Sequence, residues 1–240
     1  TDLKELTDDW KKNAIVSKGK NGILFKKFNI DGQISGALES VVETQTGVVL
    51  TIEEMEALTA IDIDLASHKT AHSHPLKLAE ALAEEIFWQI RLRKLSGVIL
   101  IDYPRAKNLG ARDHFHSEIK RIASQNEYKL VVHGWTRTGL LELTKDRLGP
   151  SLRDMFLCKN SVSQFLIEVI AIEACRTLIT ESDGIANPQL VCSQDLKSAL
   201  LGPLRKTFDE VKRRLGVEVD FYVDLYLAHD DFYIQAKKTT

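Results

Sequence analysis

The run Val98–Tyr103, VILIDY, constrains the fold more than any other stretch of the chain. It is a continuous apolar segment of strand length, the pattern of a strand set inside a sheet, and it carries an acid, Asp102, at its end. An earlier segment, EALTAIDID (Glu56–Asp64), repeats the pattern and ends on Asp62 and Asp64. Residues i and i+2 of a strand face one side, so Asp62 and Asp64 can converge. Asp102 joins them if the two strands are neighbours. Hard divalent cations want such oxygen ligands. Acids also gather at strand ends because loops are wet, and on spacing alone the two readings stand about even.

Between these strands, LKLAEALAEEIFWQIRLRKL has apolar residues at helical spacing and a basic last turn of Arg91, Arg93 and Lys94, with Gly97 read as its stop. GVVLTIEEMEALTAIDID reads as a β-hairpin turned at the acidic EEME. A helix over roughly 108–126 leads to the strand YKLVVHGW, and GLLELTKDR suits either strand or helix. Upstream, ILFKKFNIDGQISGALESVVE reads as strands turned at DGQ. From about 159 a helix (SVSQFLIEVIAIEACRTLI), a strand (QLVCS), a helix (LKSALLGPLRKTFDEVKRRLG) and a terminal hairpin (VEVDFYVDLYLAHDDFYIQAKK) follow. The expected class is α/β. Residues 1–44 form an N-terminal helix and Lys-rich segment, 45–157 a mixed-sheet core, and 158–240 a small α/β domain.

At 240 residues, 44% hydrophobic and 28% charged, the chain has the composition of a soluble globular protein, and no window of 18 apolar residues predicts a membrane span. A formal charge of −2 excludes a uniformly basic nucleic-acid binder. The Lys-rich run KKNAIVSKGKNGILFKK reads first as a solvated face and second as a phosphate-contacting surface. Cys158, Cys175 and Cys192 are odd in number and far apart, which fits reduced thiols in a cytoplasm. His68, His72 and His74 sit in a polar loop, a weak zinc signal beside ordinary exposed histidines. Trp88 and the aromatics Phe221, Tyr222, Tyr226, Phe232 and Tyr233 read as core or interface.

Three blocks carry a family likeness. EALTAIDID resembles the EALTAIDVN segment of the ribonuclease E/G family, LRKLSGVILIDYP is similar to its LRDLGGIIVIDFIDM, and RTGLLELTKDRLGPSL (Arg137–Leu152) is similar to its RFGLLEMSRQRLRPSL. The blocks come in the family's order. The resemblance implies a deoxyribonuclease-I-like mixed-sheet catalytic core that cleaves single-stranded RNA with Mg²⁺, or Mn²⁺, held by two aspartates. Those positions are Asp62 and Asp102. Asp64 falls where the family has Asn; it keeps an oxygen, loses an amide donor and adds a charge, which either strengthens metal binding or misplaces a partner of that amide. By the same resemblance Lys129 is a phosphate contact, and Arg137 and Arg147 match family arginines whose role is structural or substrate-binding.

Departures matter as much. Pro104–Arg105 replaces the second acid of the family's IDFID block, so Arg105, with Lys107 and Arg112 nearby in sequence, either grips phosphate or opposes the ion. The family's Cys-x-x-Cys zinc link falls near KNSVS, where Cys158 stands alone; one thiol cannot build a Cys₄ site, so no zinc is expected and Cys158 is read as a small buried hydrophobe. The segment before Thr46 is too short for the family's oligonucleotide-binding barrel, ribonuclease-H-like part and 5′-phosphate sensor. Any RNA affinity is therefore expected to be weak and salt-dependent. Two functions stay open: a reduced endoribonuclease core, or a degenerate relative acting as an RNA-associated or dimeric scaffold through its small C-terminal domain.

Overall fold

The structure is a computed structural model that describes residues 23–65, 75–103, 109–124, 130–159, 164–182 and 184–237. The described residues fall into two compact units, one within Gly32–Ser163 and the other drawn from Thr1–Asp31 and Gln164–Thr240.

The first departure comes at the start. ILFKK and IDGQISGAL are helices, α1 (Ile23–Lys27) and α2 (Ile30–Leu38), where strands were expected. The apolar positions Ile30, Ile34, Ala37 and Leu38 recur at i, i+4, i+7 and i+8, a helical period that outweighs the local alternation. Asn29, at φ 48°, takes the left-handed conformation that separates the two helices.

A six-stranded mixed sheet organises the larger unit. Its strands are β1 (Val41–Glu43), β2 (Val49–Glu54), β3 (Leu58–Asp64), β4 (Gly97–Asp102), β5 (Leu130–Trp135) and β6 (Leu141–Lys145), in the order β1-β2-β3-β4-β6-β5. The expected β2–β3 hairpin forms, from Val49 opposite Asp64 to Glu54 opposite Thr59. Helix α3 (Pro75–Leu92) then crosses over, and β4 pairs parallel to β3. Helix α4 (Leu109–Ser124) links β4 to the β5–β6 ribbon, and β6 closes antiparallel on β4. α3 stops at Leu92, five residues before Gly97: Lys94 at φ 53° takes the left-handed position, and the Leu95 amide donates to the Ile90 carbonyl. Helix α5 (Leu152–Phe156) starts on a capping box between Ser151 and Asp154, and the Leu152 amide donates to the Arg93 carbonyl. The Arg93 side chain is 6% exposed and donates from Nε to Gln89 Oε1 at 3.0 Å; burial lowers its pKa.

The core lies on one face of this sheet. Leu50, Ile52, Ile61, Ile63, Ile99, Ile101, Leu141 and Leu143 alternate along their strands and pack with Leu82, Ile86 and Ile90 of α3 and Phe115 and Ile119 of α4. Each such side chain contributes roughly 1.5–3 kcal/mol by leaving water. The other face has only half-buried residues between its acids, including Val49, Thr51, Ala60, Val98 and Leu100. VILIDY is thus covered on one side, and its alternate residues Val98 and Leu100 stay partly open.

The smaller unit packs α6 (Ile167–Glu181), α7 (Gln194–Leu201) and α8 (Arg205–Leu215) with a three-stranded sheet of β7 (Pro188–Cys192), β8 (Asp220–Val223) and β9 (Phe232–Ala236). The terminal hairpin expected from sequence does not form. β7 lies between the other two, parallel to β8 and antiparallel to β9. The apolar β7, with Leu190, Val191 and Cys192 fully buried, takes the centre. One predicted helix is two, because the Gly202–Pro203 pair ends α7; a Cβ at Gly202 would meet the Ser198 carbonyl oxygen at 2.8 Å. Burial pushes the Cys175 and Cys192 thiols up to about 11, the state of inert packing groups. Among the described residues no helix is long and apolar enough to cross a membrane.

Candidate active site

Strand alternation and the register of the sheet position the acids. Alternation along β3 turns Ile61 and Ile63 into the core and leaves Asp62 and Asp64 exposed on the opposite face. Along β4, Ile101 is buried and Asp102 exposed. The parallel register sets Asp62 directly beside Asp102. Neighbouring strands lie about 4.8 Å apart, so the two carboxylates rise from adjacent backbones on one face. Tyr103 follows immediately, 4% exposed, with its ring stacked on Phe115 at 4.4 Å between centroids. That stack pins the end of β4 to α4, and burial raises the Tyr103 pKa.

Both carboxylates sit at the C-terminal ends of a parallel, helix-connected strand pair, the place where open α/β sheets hold their ligands. Among the described residues neither the Asp62 nor the Asp102 carboxylate has a hydrogen-bond or ion-pair partner. Asp64 stands one pleat further along β3, opposite Val49 on β2. The described residues contain no group of three or more His, Cys, Asp or Glu able to hold a metal together; the candidate donors among them are the paired Asp62 and Asp102. Two exposed carboxylate ligands suit Mg²⁺, which takes one or two such groups, keeps several waters and bridges to phosphate.

Other expected residues divide. Arg137 lies exposed in the β5–β6 turn, where the Leu140 amide donates to Thr136 Oγ1 at 3.0 Å. Leu141 pairs with Ile101, so this turn is at the acid-bearing end of the sheet. Arg147 follows β6, whose Lys145 pairs with Gly97, and is at the opposite end. Lys129, Arg105 and Lys107 fall outside the described residues, as do His68, His72 and His74. Cys158, read as buried, is only half-buried.

Two features of the site escaped the sequence. Glu142 pairs with Leu100 and therefore shares the face of Asp102, one pleat back on β6; its place between buried Leu141 and Leu143 would have found it. At the same end of the sheet, Arg112 Cζ lies over the Trp135 ring, 3.8 Å from its centroid, and Nη2 donates to the Gly139 carbonyl at 2.6 Å. His116 is 6.2 Å from the Trp135 ring. Arg112 Nε, His116 Nε2 and Trp135 Nε1 are buried with no hydrogen-bond partner among the described residues. Burial first, and then Lys120, lower the His116 pKa, against a raising effect from Asp113.

The profile described as "Ribonuclease E/G family" matches residues 2–148. Ribonuclease G of Escherichia coli K12 is 24% identical over 219 residues, covering 87% of this chain and 45% of that protein. Ribonuclease E of Haemophilus influenzae is 26% identical over 210 residues, 82% of this chain and 22% of its own length. Ribonuclease E of Escherichia coli K12 is 32% identical over 136 residues, 54% of this chain and 12% of its own. The chain thus spans less than half the length of these curated relatives. The matched segment contains all three acids, and its mixed α/β core is the one the resemblance implied. This chain belongs to the ribonuclease E/G family.

Proposed function

We propose that the larger unit hydrolyses single-stranded RNA as a metal-dependent endoribonuclease, with Asp62 and Asp102 as ligands of Mg²⁺ or Mn²⁺ and Asp64 beside them. The in-register pairing of Asp62 with Asp102 carries this reading. Such an ion, held by these two carboxylates, would supply Lewis acidity toward a phosphoryl oxygen and toward water. The chain's own residues do the positioning. Ile61, Ile63 and Ile101 lock the strands from the core side, and the Tyr103–Phe115 stack holds the end of β4. Arg137 contacts a backbone phosphate from the neighbouring turn, and Lys129, Arg105 and Lys107 are assigned further phosphate contacts. In the net reaction a water oxygen joins phosphorus, the P–O3′ bond breaks, and the products are a 3′-hydroxyl and a 5′-phosphate. A cytoplasmic location and a homodimer through the smaller unit complete the proposal.

The experiment is cleavage of an end-labelled single-stranded RNA at low salt with Mg²⁺. Asp62→Ala and Asp102→Ala should each slow cleavage by about a hundredfold or more, the scale of losing one electrostatic element of an active site. Metal titration calorimetry on the double variant should lose the wild-type heat. Cleavage equal to wild type, or absent from all proteins, removes the hydrolytic reading and leaves the scaffold one.

A further inference from the structure

At the other end of β4 the surface has the opposite chemistry. A cavity of about 420 Å³ opens where α3 ends and the chain leaves β6, within the size range of small-ligand sites. Its apolar wall is Trp88, Leu92 and Leu148, which are 53%, 38% and 76% exposed. Trp88, read from sequence as core or interface, is therefore neither in the core nor covered within this unit. Arg91, Lys94 and Lys145 line the same cavity, against one acid, Asp146. The register places Lys145 opposite Gly97, the first residue of β4, about 17 Å along the strand from Asp102 at the usual rise per residue.

These cations crowd one another. Burial, then Arg91, then Lys94 all pull the Lys145 amine down from its ordinary pKa. A chain with a net charge of −2 has thus concentrated like charges around an open indole. An anion relieves that repulsion, and an aromatic ligand covers the Trp88 face that water now wets. Only a ligand with both parts satisfies both walls. A nucleotide has both, and base stacking on an aromatic beside a basic groove is how proteins hold single strands.

We infer that this cavity is a second RNA contact, remote from the acids, in which one base stacks on Trp88 and its phosphate lies among Arg91, Lys94 and Lys145. The choice of RNA over other anionic aromatics rests on the ribonuclease reading; the cavity itself does not.

Binding can be tested without cleavage. In EDTA, a short oligoribonucleotide is titrated into wild type and Trp88→Phe, and intrinsic tryptophan fluorescence is followed. The oligonucleotide should quench Trp88, a signal missing from Trp88→Phe. Trp88→Ala should weaken binding by about five- to 150-fold, the range for one stacked base. Lys145→Gln should make the slope of log affinity against log salt shallower by about 0.7, the value of one phosphate contact on a single strand. Titrations of AMP and of a poly-glutamate peptide run in parallel. AMP binding as tightly as the oligonucleotide would make the ligand a free nucleotide, and poly-glutamate matching it would reduce the site to bare charge; either overturns the RNA assignment, as does an unchanged Trp88 signal. Quenching without cleavage leaves the cavity standing and the hydrolytic reading fallen, and cleavage without quenching the reverse.

Discussion

The chain builds two parallel, helix-connected strand pairs, and they end differently. In the larger unit β4 finishes on Asp102, and the last turn of alternation in β3 sets Asp62 beside it, both exposed. In the smaller unit β7 finishes on buried Cys192, and the next residue, Ser193, accepts a hydrogen bond from the Leu196 amide to cap α7. β8 runs out at Val223 and Asp224, where the Asp224 amide donates to the Cys192 carbonyl and its carboxylate accepts from the Tyr226 amide. The same supersecondary plan therefore employs its terminal polar groups structurally in one place and leaves them bare in the other. Acids do gather at strand ends because those ends are wet. The β7–β8 pair shows what such groups do when nothing else is asked of them: they cap helices and close turns. Asp62 and Asp102 do neither.

That contrast breaks if removing the bare acids unfolds the protein. The double variant Asp62→Ala, Asp102→Ala should lose RNA cleavage while its thermal midpoint stays near wild type, because exposed substitutions away from caps and cores change stability by about 0.5 kcal/mol or less. A large fall in the midpoint would mean the acids hold the fold together. Phe115→Ala should do the reverse of the acid variant. It removes a fully buried ring from under Tyr103, at a cost of about 3–5 kcal/mol, and loosens the end of β4 that presents Asp102. Denaturant unfolding would register the first effect, and weaker metal binding in the still-folded fraction the second. On the other side of the comparison, Ser193→Ala should cost about 1 kcal/mol, the value of an N-cap, and leave cleavage unaltered.

Long periodic stretches gave up their structure readily. α3, α4 and the β2–β3 hairpin follow from spacing alone, and so does the face on which each acid lies, since a strand alternates with a period of two. What spacing could not supply was adjacency. Asp62 meets Asp102 only because α3 returns the chain beside β3 in a register that depends on packing across the whole sheet. The same gap explains the terminal strands: β8 and β9 are close in sequence, which favours a hairpin, yet β7 offers fully buried Leu190, Val191 and Cys192 between them, and burial wins. In α2 the error was of another kind. Asp31-Gly32-Gln33 resembles a turn, but a nine-residue helix absorbs it because its apolar residues line one side. The Arg112–Trp135 stack joins residues more than twenty positions apart that no motif connects.

That stack extends the contrast in the other direction, into the covered face. Of the buried side-chain polar atoms without a partner among the described residues, four belong to the larger unit, on Arg93, Arg112, His116 and Trp135, and one, on Ser182, to the smaller. His116 makes the difference measurable through pH. Its ring lies over Gly134 and near Trp135, beside Arg112, Asp113 and Lys120 of its own helix. Burial and Lys120 favour the neutral ring, so its folded pKa is below the unfolded value of about 6.5. Above that value both states hold a neutral imidazole, and the folded protein has the full benefit. As pH falls through and below it, the unfolded chain takes up the proton first and stability is lost. The stability gap between wild type and His116→Gln should accordingly be widest above pH 7 and narrow as pH drops below about 6.5. Chemical denaturation at several pH values would read it. A gap that stays constant would mean the ring is protonated as easily folded as unfolded, and the covered face at the acid end would then tolerate charge as well as the open one does.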